Sequence, residues 1–136
     1  MQVQTYLFFN GCCEEAADFY CQHLGAQVTM KMRFKDMPPS ESSLVAPGSE
    51  DKIMHMSLKI GDTVVLASDG RCEGTVQFEG FSLSLIVSDD TEAERLFALL
   101  SDGGEVQMPM APTFYASRFG MTSDRFGVSW QVMVAL

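Results

Sequence analysis

Positive charges are scarce in this sequence. It contains 9 Lys and Arg residues against 18 Asp and Glu residues, which gives a formal net charge of −9 and a pI near 4.5. A strongly acidic chain is repelled by phosphate backbones and by anionic lipid headgroups. We therefore expect neither a nucleic-acid partner nor a membrane partner.

Long hydrophobic runs are also absent. No apolar stretch approaches the roughly 18 residues that a membrane-spanning helix requires. The opening residues, MQVQTYLFF, lack a basic segment and a small-residue cleavage site, so we expect no signal peptide and a cytoplasmic protein. A length of 136 residues with 46% hydrophobic residues is typical of a single globular domain, residues 1–136.

Cysteine pairs with the spacing of a zinc or redox motif are missing. The four cysteines are Cys12, Cys13, Cys21 and Cys72, and none forms a Cys-x-x-Cys pair. Adjacent Cys12 and Cys13 favour an interpretation as small residues at a helix start in a reducing compartment. A reactive or metal-binding pair is the less favoured alternative.

The sequence does contain a clear pair of strands near its C-terminus. Residues 114–122 and 128–134 are strand-like, and Asp124 and Gly127 supply turn chemistry between them. In the second strand one alternating set is Val128, Trp130, Val132 and Val134, and the other is Ser129, Gln131 and Met133. The first set predicts a core face, and the second predicts a wetter face on which a site could lie.

The order strand, helix, strand, strand, strand occurs twice. Phe19 and Leu96, on the two predicted helices, are 77 positions apart, whereas the hairpin glycines Gly61 and Gly127 are 66 positions apart. The difference of 11 positions falls in a Pro- and Ser-rich loop at residues 36–52. This loop is either a lid or partner contact or a surface loop without a role. The pattern predicts two repeats, about 1–69 and 80–136.

Two such repeats predict an α+β fold. We expect two tandem βαβββ modules that form a curved mixed sheet around a cavity, with the helices on the outer face. The predicted elements of the first repeat are strands 3–10 and 27–34, a helix at 12–25, and a hairpin of 53–60 and 63–68. Those of the second are strands 81–87 and 105–108, a helix capped by Asp89 or Asp90, and the closing hairpin.

Three segments carry a family resemblance: FNGCCEEAADFYCQHLGA, KIMHMSLKIGD and RFGMTSDRFGVSWQV. They resemble the vicinal-oxygen-chelate superfamily of glyoxalases and bleomycin-resistance proteins, and most closely its PhnB-like branch, often labelled demethylubiquinone methyltransferase. The resemblance implies a homodimer. Tyr115-Ala116 stands where that branch usually has Trp-Gly. The methyltransferase label has no support in the residues, because a cofactor of that kind usually binds a Gly-rich turn in a doubly wound fold.

The resemblance also indicates where a metal would bind. Metal-bearing members place His or Glu on the first and last strands of each half. The aligned positions here are Thr5, Val65, Ser82 and Gln131. These are poor ligands or none at all, so we expect no metal and no other cofactor. A register shift of one residue would exchange the two faces of a strand.

Two further residues invite a functional interpretation. His55 is the candidate catalytic residue, because an imidazole can act as a general base. An ordinary hydrogen-bonded strand histidine is the alternative. Arg118, in an otherwise apolar strand, predicts an anionic partner, either a ligand or an acid such as Asp124, and the structural pair is favoured.

Together these features predict a metal-independent binding protein of the bleomycin-resistance kind for a small, partly apolar molecule. Its predicted cleft is lined by Thr5, Leu7, Phe9, His55, Ser82, Ser84, Phe119, Met121 and Gln131. The alternative is a superfamily enzyme, an isomerase, lyase or dioxygenase acting on a small carbonyl or aromatic substrate, with or without a metal. A dimeric protein without a small ligand is a third interpretation.

Overall fold

A computed structural model of the protein describes residues 1–38, 46–72 and 74–136. Residues 39–45 of the predicted long loop lie outside the described residues. The chain divides into two compact units, Met1–Val76 and Gln77–Leu136. Each unit contains, in its described part, one α-helix and a four-stranded mixed sheet. The predicted α+β class and tandem βαβββ modules are confirmed, and each module has a sheet of its own.

The first unit follows the predicted element order. Its strands run in the order β1-β4-β3-β2, with β1 parallel to β4 and the other pairs antiparallel. Helix α1 ends at Gly25, which adopts a left-handed φ of 66° and donates its N–H to the Tyr20 carbonyl. The elements are β1 (Tyr6–Phe8), α1 (Cys13–Leu24), β2 (Gln27–Arg33), a short 3-10 helix (Phe34–Asp36), β3 (Ile53–Ile60) and β4 (Thr63–Ser68).

The core of the first unit lies between α1 and one face of this sheet. Leu7 is paired in register with Ala67, and Ala67 with Met56, so their side chains share that face. All three are at most 1% exposed. Since side chains alternate along a strand, Tyr6 and Phe8 project from the opposite face, which we call the open face of the first sheet.

The second unit repeats this arrangement with the order β5-β8-β7-β6, and β5 is parallel to β8. The carboxylate of Asp89 caps α2 by accepting the Glu92 N–H at 2.9 Å. Of the two predicted caps, Asp89 and Asp90, the helix therefore uses Asp89. The elements are β5 (Leu83–Ile86), α2 (Asp90–Ser101), β6 (Glu105–Ala111), β7 (Ala116–Ser123) and β8 (Ser129–Ala135).

From Val128 through β8, successive side chains face the core and the surface in turn, as predicted. Val128, Trp130, Val132 and Val134 are between 0% and 7% exposed. Helix α2 covers this face with Leu96, Phe97 and Leu100. The opposite face, which we call the open face of the second sheet, carries Ser129, Gln131 and Met133 at intermediate exposure.

Two buried aspartates organise the loops. Asp69 accepts the N–H groups of Gly11 at 2.7 Å, Cys13 at 2.9 Å and Ile53 at 2.8 Å, so it joins the start of α1 to the start of β3. Asp124 performs the same task within the β7–β8 turn.

Among the described residues no helix has the length and apolarity of a membrane span.

Candidate functional site

The open face of the second sheet gathers the site residues that the sequence predicts for this unit. Register pairs Ser84 with Gln131 and Gln131 with Met121. Ser82 joins them, because its hydroxyl lies 2.7 Å from that of Ser129. Phe119 shares this face but is only 9% exposed, with the Tyr115 ring 5.8 Å away.

This face holds an open pocket of about 790 Å³. Three predicted residues, Ser82, Met121 and Gln131, line it, whereas Ser84 and Phe119 do not. The remaining lining residues are Phe78, Glu79, Gly80, Phe81, Gln107 and Ser129.

The sequence prediction missed two aromatic residues of this lining, Phe78 in the connector between the repeats and Phe81 at the start of the predicted strand 81–87. Phe78 and Phe81 contribute two rings whose centroids are 6.3 Å apart in an edge-to-face arrangement. The connector has no period, so no pattern placed Phe78 on a face, and the predicted alternation put Phe81 on the face of Leu83, opposite that of Ser82. Two aromatic residues three positions apart in a polar, Gly-containing stretch were the available signal.

The lining of this pocket combines apolar and hydrogen-bonding side chains. Phe78, Phe81 and Met121 supply apolar surface, while hydroxyl and amide groups supply hydrogen bonds. Among the lining residues that the structure describes, Glu79 is the one ionisable side chain. Ligand sites commonly combine an apolar lining with a few convergent polar groups in this way.

The first sheet corrects part of the predicted site. Leu7 and Phe9 are each 1% exposed, in the core under the helix rather than on the open face. Thr5 has the same parity as Leu7 and does not belong to the open face either. The prediction for β1 was therefore wrong by one residue, and Tyr6 and Phe8 take the open positions with 36% and 56% exposure.

His55 lies on this open face. Its Nδ1 is 2.8 Å from the Tyr6 hydroxyl, and the two rings are 5.5 Å apart. The Phe8 ring stacks on Tyr6 at 4.8 Å with an interplanar angle of 28°. The hydrogen bond holds the imidazole ring in one orientation. This arrangement suits a histidine that transfers protons, and it equally suits a histidine that only stabilises the strand.

Metal ligands do not converge in the described part of either unit. Within the part of the chain that the structure describes, no three His, Cys, Asp or Glu side chains form a group that could hold an ion. Val65 is 6% exposed in the core, so it is not an open-face position. The residues that pair with β1 on the open face are Leu66, which cannot ligate a metal, and Ser68, whose hydroxyl is a poor ligand. The donor set therefore does not fit a glyoxalase-type metal, and metal independence stays a prediction.

The cysteine pair is structural in character. Cys13 is fully buried at the start of α1, as expected for a small helix-start residue. Burial, and then the neighbouring Asp69 carboxylate, raise the pKa of both the Cys12 and the Cys13 thiols. A thiol held protonated is a poor nucleophile and a poor metal ligand.

Arg118 has anionic partners within the protein. Its Nε lies 3.1 Å from Glu94 and its guanidinium is 3.6 Å from Asp90, both on α2. The structural pairing is the one favoured from the sequence, but the suggested partner Asp124 was wrong. Asp124 is turned into the core, where it accepts hydrogen bonds from its own hairpin.

A smaller cavity of about 280 Å³ lies beside α1 in the first unit. Its charges are largely paired with each other. The Glu14 carboxylate accepts hydrogen bonds from Arg33 at 2.5 Å and from Lys31 at 3.0 Å. These hydrogen bonds lower the Glu14 pKa to about 2, and the bond from Arg33 has the larger effect. This cluster acts as a clasp between α1 and β2.

Comparison with known proteins assigns the chain to a family. Residues 1–133 match the family model described as 3-demethylubiquinone-9 3-methyltransferase. The chain belongs to this family. Glyoxalase/bleomycin resistance/dioxygenase proteins from Frankia and Burkholderia phytofirmans share the fold at 15% identity, with TM-scores of 0.67 and 0.64. The predicted resemblance to the branch labelled demethylubiquinone methyltransferase is confirmed, and these neighbours show that the chain shares the fold of glyoxalase/bleomycin-resistance proteins.

Three relatives are similar over nearly the whole chain. Protein YjdN of Escherichia coli K12 is 32% identical over 140 residues, covering 98% of this chain and 95% of YjdN. Protein PA1353 from Pseudomonas aeruginosa is 43% identical with a TM-score of 0.86, covering 99% and 98% of the two chains. A putative 3-demethylubiquinone-9 3-methyltransferase, PhnB protein, from Bacillus cereus is 24% identical with a TM-score of 0.82, covering 99% and 100%.

The family description implies a methyl donor, and the residues of this chain do not fit one. Such a cofactor binds where a Gly-rich turn leads into a helix of a doubly wound parallel sheet. Each sheet described here is mixed, with one parallel pair of strands. Carboxylates of the chain itself already accept N–H groups at both helix starts, Asp69 at α1 and Asp89 at α2. No methyl-transfer step follows from this arrangement.

Proposed function

We propose that the protein is a metal-independent small-molecule-binding protein whose ligand occupies the open pocket of the second sheet. One observation carries the proposal. In that pocket an aromatic pair, Phe78 and Phe81, accompanies neutral hydrogen-bonding groups that include Ser82 and Gln131. This combination suits a small, partly apolar molecule with polar substituents.

The size of the pocket supports this proposal. Its volume of about 790 Å³ lies within the range typical of small-molecule sites. A ring of the ligand would contact Phe78, Phe81 and Met121, and its polar groups would bond to the Ser82–Ser129 hydroxyl pair and the Gln131 amide. Sequestration requires this fit and no nucleophile.

A thermal-shift screen tests the proposal. Aromatic and carbonyl metabolites are added to the purified protein, with a divalent metal in one arm and a chelator in the other. A bound ligand should raise the melting temperature by mass action, and equally in both arms. Gln131→Ala should weaken binding about five-fold, the effect of about 1 kcal/mol from one hydrogen bond.

The matched control is Gln27→Ala, which removes an exposed strand amide in the first unit. It should leave the affinity unchanged. Two results would contradict metal independence. One is a stoichiometric divalent metal in the purified protein, measured by elemental analysis, and the other is ligand binding only in the metal arm of the screen. Ligands that bind the Gln131→Ala variant as tightly as the unsubstituted protein would contradict the pocket assignment.

The Tyr6–His55 hydrogen bond favours a second candidate, a superfamily isomerase or lyase that moves a proton. In this function His55 removes a proton next to a substrate carbonyl, and Tyr6 holds the ring at Nδ1. Incubating carbonyl hits in deuterated water and following loss of the neighbouring C–H signal by NMR tests it. Exchange that His55→Gln abolishes supports catalysis, and no exchange above the buffer rate rejects it.

Two expectations about the whole protein stay predictions. The family resemblance implies a homodimer, and a cytoplasmic location is the other expectation. Sedimentation of the purified protein over a range of concentrations tests the first, and cell fractionation tests the second.

A further inference from the structure

The charge of the second-sheet pocket defines a class of ligand. We infer that this pocket selects an organic cation, an ammonium group carried on an aromatic or apolar body. The inference rests on the proposed function, because it names the ligand class of the same pocket.

The first argument is the sign of the charge. Within the described part of the chain, Glu79 is the one ionisable side chain that lines the pocket, and the described lining contains no Lys, Arg or His. The sequence as a whole carries a formal charge of −9. A carboxylate ligand would meet the Glu79 carboxylate without a compensating cation, whereas an ammonium ligand would be attracted by it.

The second argument is the nature of the surface around that charge. Phe78 and Phe81 flank Glu79 in the chain, and their rings meet edge to face at 6.3 Å. Aromatic faces attract cations through the ring quadrupole, and ammonium groups are commonly held this way. Met121 adds a polarisable thioether, which suits an apolar body of variable shape.

The third argument is the hydroxyl pair that also lines the pocket. Ser82 and Ser129 oxygens are 2.7 Å apart, so one hydroxyl is the donor and the other accepts. Their remaining lone pairs can accept N–H groups from a primary or secondary ammonium. The lining therefore includes a carboxylate, ring surface and hydroxyl acceptors, all of which suit a positive group.

Three probes with one ring and different charges test the inference. Benzyltrimethylammonium, benzyl alcohol and benzoate are titrated into the protein and followed by NMR. We expect the cation to bind about five-fold more tightly than the alcohol, and benzoate to bind most weakly. Added salt should weaken binding of the cation alone, because Glu79 is exposed to solvent.

Substitutions separate Glu79 from the overall charge. Glu79→Gln should reduce the affinity for benzyltrimethylammonium about five-fold and leave that for benzyl alcohol unchanged. Glu50→Gln, which removes an exposed acid outside the pocket, is the matched control and should change neither affinity. An equal effect of the two substitutions would show long-range charge rather than selection by the pocket, and would overturn the inference.

Failure of the inference is distinguishable from failure of the proposed function. If benzyl alcohol binds as tightly as the cation, and Gln131→Ala weakens it, the pocket binds small molecules without selecting cations. If benzyltrimethylammonium does not bind at millimolar concentration, the organic-cation inference is overturned whatever the metabolite screen finds.

Discussion

The Asp124 carboxylate accepts the indole N–H of Trp130 at 2.9 Å inside the second unit. Its other oxygen accepts the backbone N–H groups of Phe126 at 2.9 Å and Val128 at 3.0 Å. Asp124 is 3% exposed. One buried side chain thus closes the hairpin turn and fixes the tryptophan that anchors the core face of β8.

Replacing this carboxylate should destabilise the protein. In Asp124→Asn the amide NH₂ would face the Trp130 N–H or the two backbone donors, so at least one buried donor loses its acceptor. We expect a loss of about 2 kcal/mol in the free energy of unfolding, measured by chemical denaturation. Adding Trp130→Phe removes the competing donor and should make the Asp124→Asn penalty smaller.

The matched control for this change is Asp102→Asn. The Asp102 side chain is 76% exposed and pairs with Arg125 at 3.0 Å. A surface pair of this kind contributes well under about 1 kcal/mol. Equal costs for the two substitutions would contradict the role assigned to Asp124.

Asp69 should be a second point of weakness, in the first unit. In Asp69→Asn the side chain cannot accept from Gly11, Cys13 and Ile53 together, since one of its two positions becomes a donor. We expect faster amide hydrogen exchange at Cys13 and Ile53 and a loss of about 2 kcal/mol. Asp18→Asn, an exposed change on α1, is the control. Unchanged protection at both amides would reject this account.

Two glycines of the second unit should differ in tolerance to alanine. A Cβ at Gly104 would collide with the backbone carbonyl oxygen of Ser123, whereas one at Gly120 would lie 2.5 Å from the Met110 sulfur. A flexible methionine side chain can move, but the backbone of a paired strand cannot. Gly104→Ala should therefore lower the melting temperature more than Gly120→Ala. Calorimetry measures both melting temperatures. A larger loss for Gly120→Ala would show that the backbone of β6 and β7 can move more easily than the side chains between α2 and the sheet.

The Glu14 clasp should make stability depend on pH. Hydrogen bonds from Arg33 and Lys31 lower the Glu14 pKa from 4.5 to about 2 in the folded protein. Because folding lowers the pKa, the contribution is complete above about pH 4.5 and is lost as the pH falls towards 2. The Glu14 side chain is 40% exposed, so screening limits the contribution to about 1 kcal/mol or less.

Comparing Glu14→Gln with Glu15→Gln isolates this contribution, because both remove an acid from the first turn of α1. At pH 7 the Glu14 variant should be the less stable of the two. The gap should shrink as the pH of the denaturation experiment is lowered from 4.5 towards 2. A gap that does not change with pH would assign the loss to packing of the Glu14 side chain.

Element order was well predicted where the sequence has one clear period. The hairpin of β3 and β4 has the predicted bounds, because apolar and polar residues alternate in its first arm and Gly61-Asp62 marks the turn. On β8, the contrast of Trp130 and Val132 with Ser129 and Gln131 fixed the two faces. Ser129, Gln131 and Met133 therefore lie on the open face, as this contrast predicted.

Strand β1 shows why the rest could not be predicted. In VQTYLFFN the residues Tyr6 and Phe8 are as apolar as Leu7 and Phe9, so alternation does not indicate which pair is buried. The helix alignment then gave the wrong parity. Phe78 was missed for a different reason: its place against Gly127 depends on a contact far along the chain, which no local pattern records.

The central claim is that the ligand binds on the open face of the second sheet. Backbone-amide NMR of the protein with the tightest ligand from the thermal-shift screen tests it most directly. The account predicts the largest chemical-shift changes at Phe81, Ser82, Ser129 and Gln131, the same in the presence of a chelator. Changes confined to the first unit, or changes that vanish when metal is removed, would contradict it.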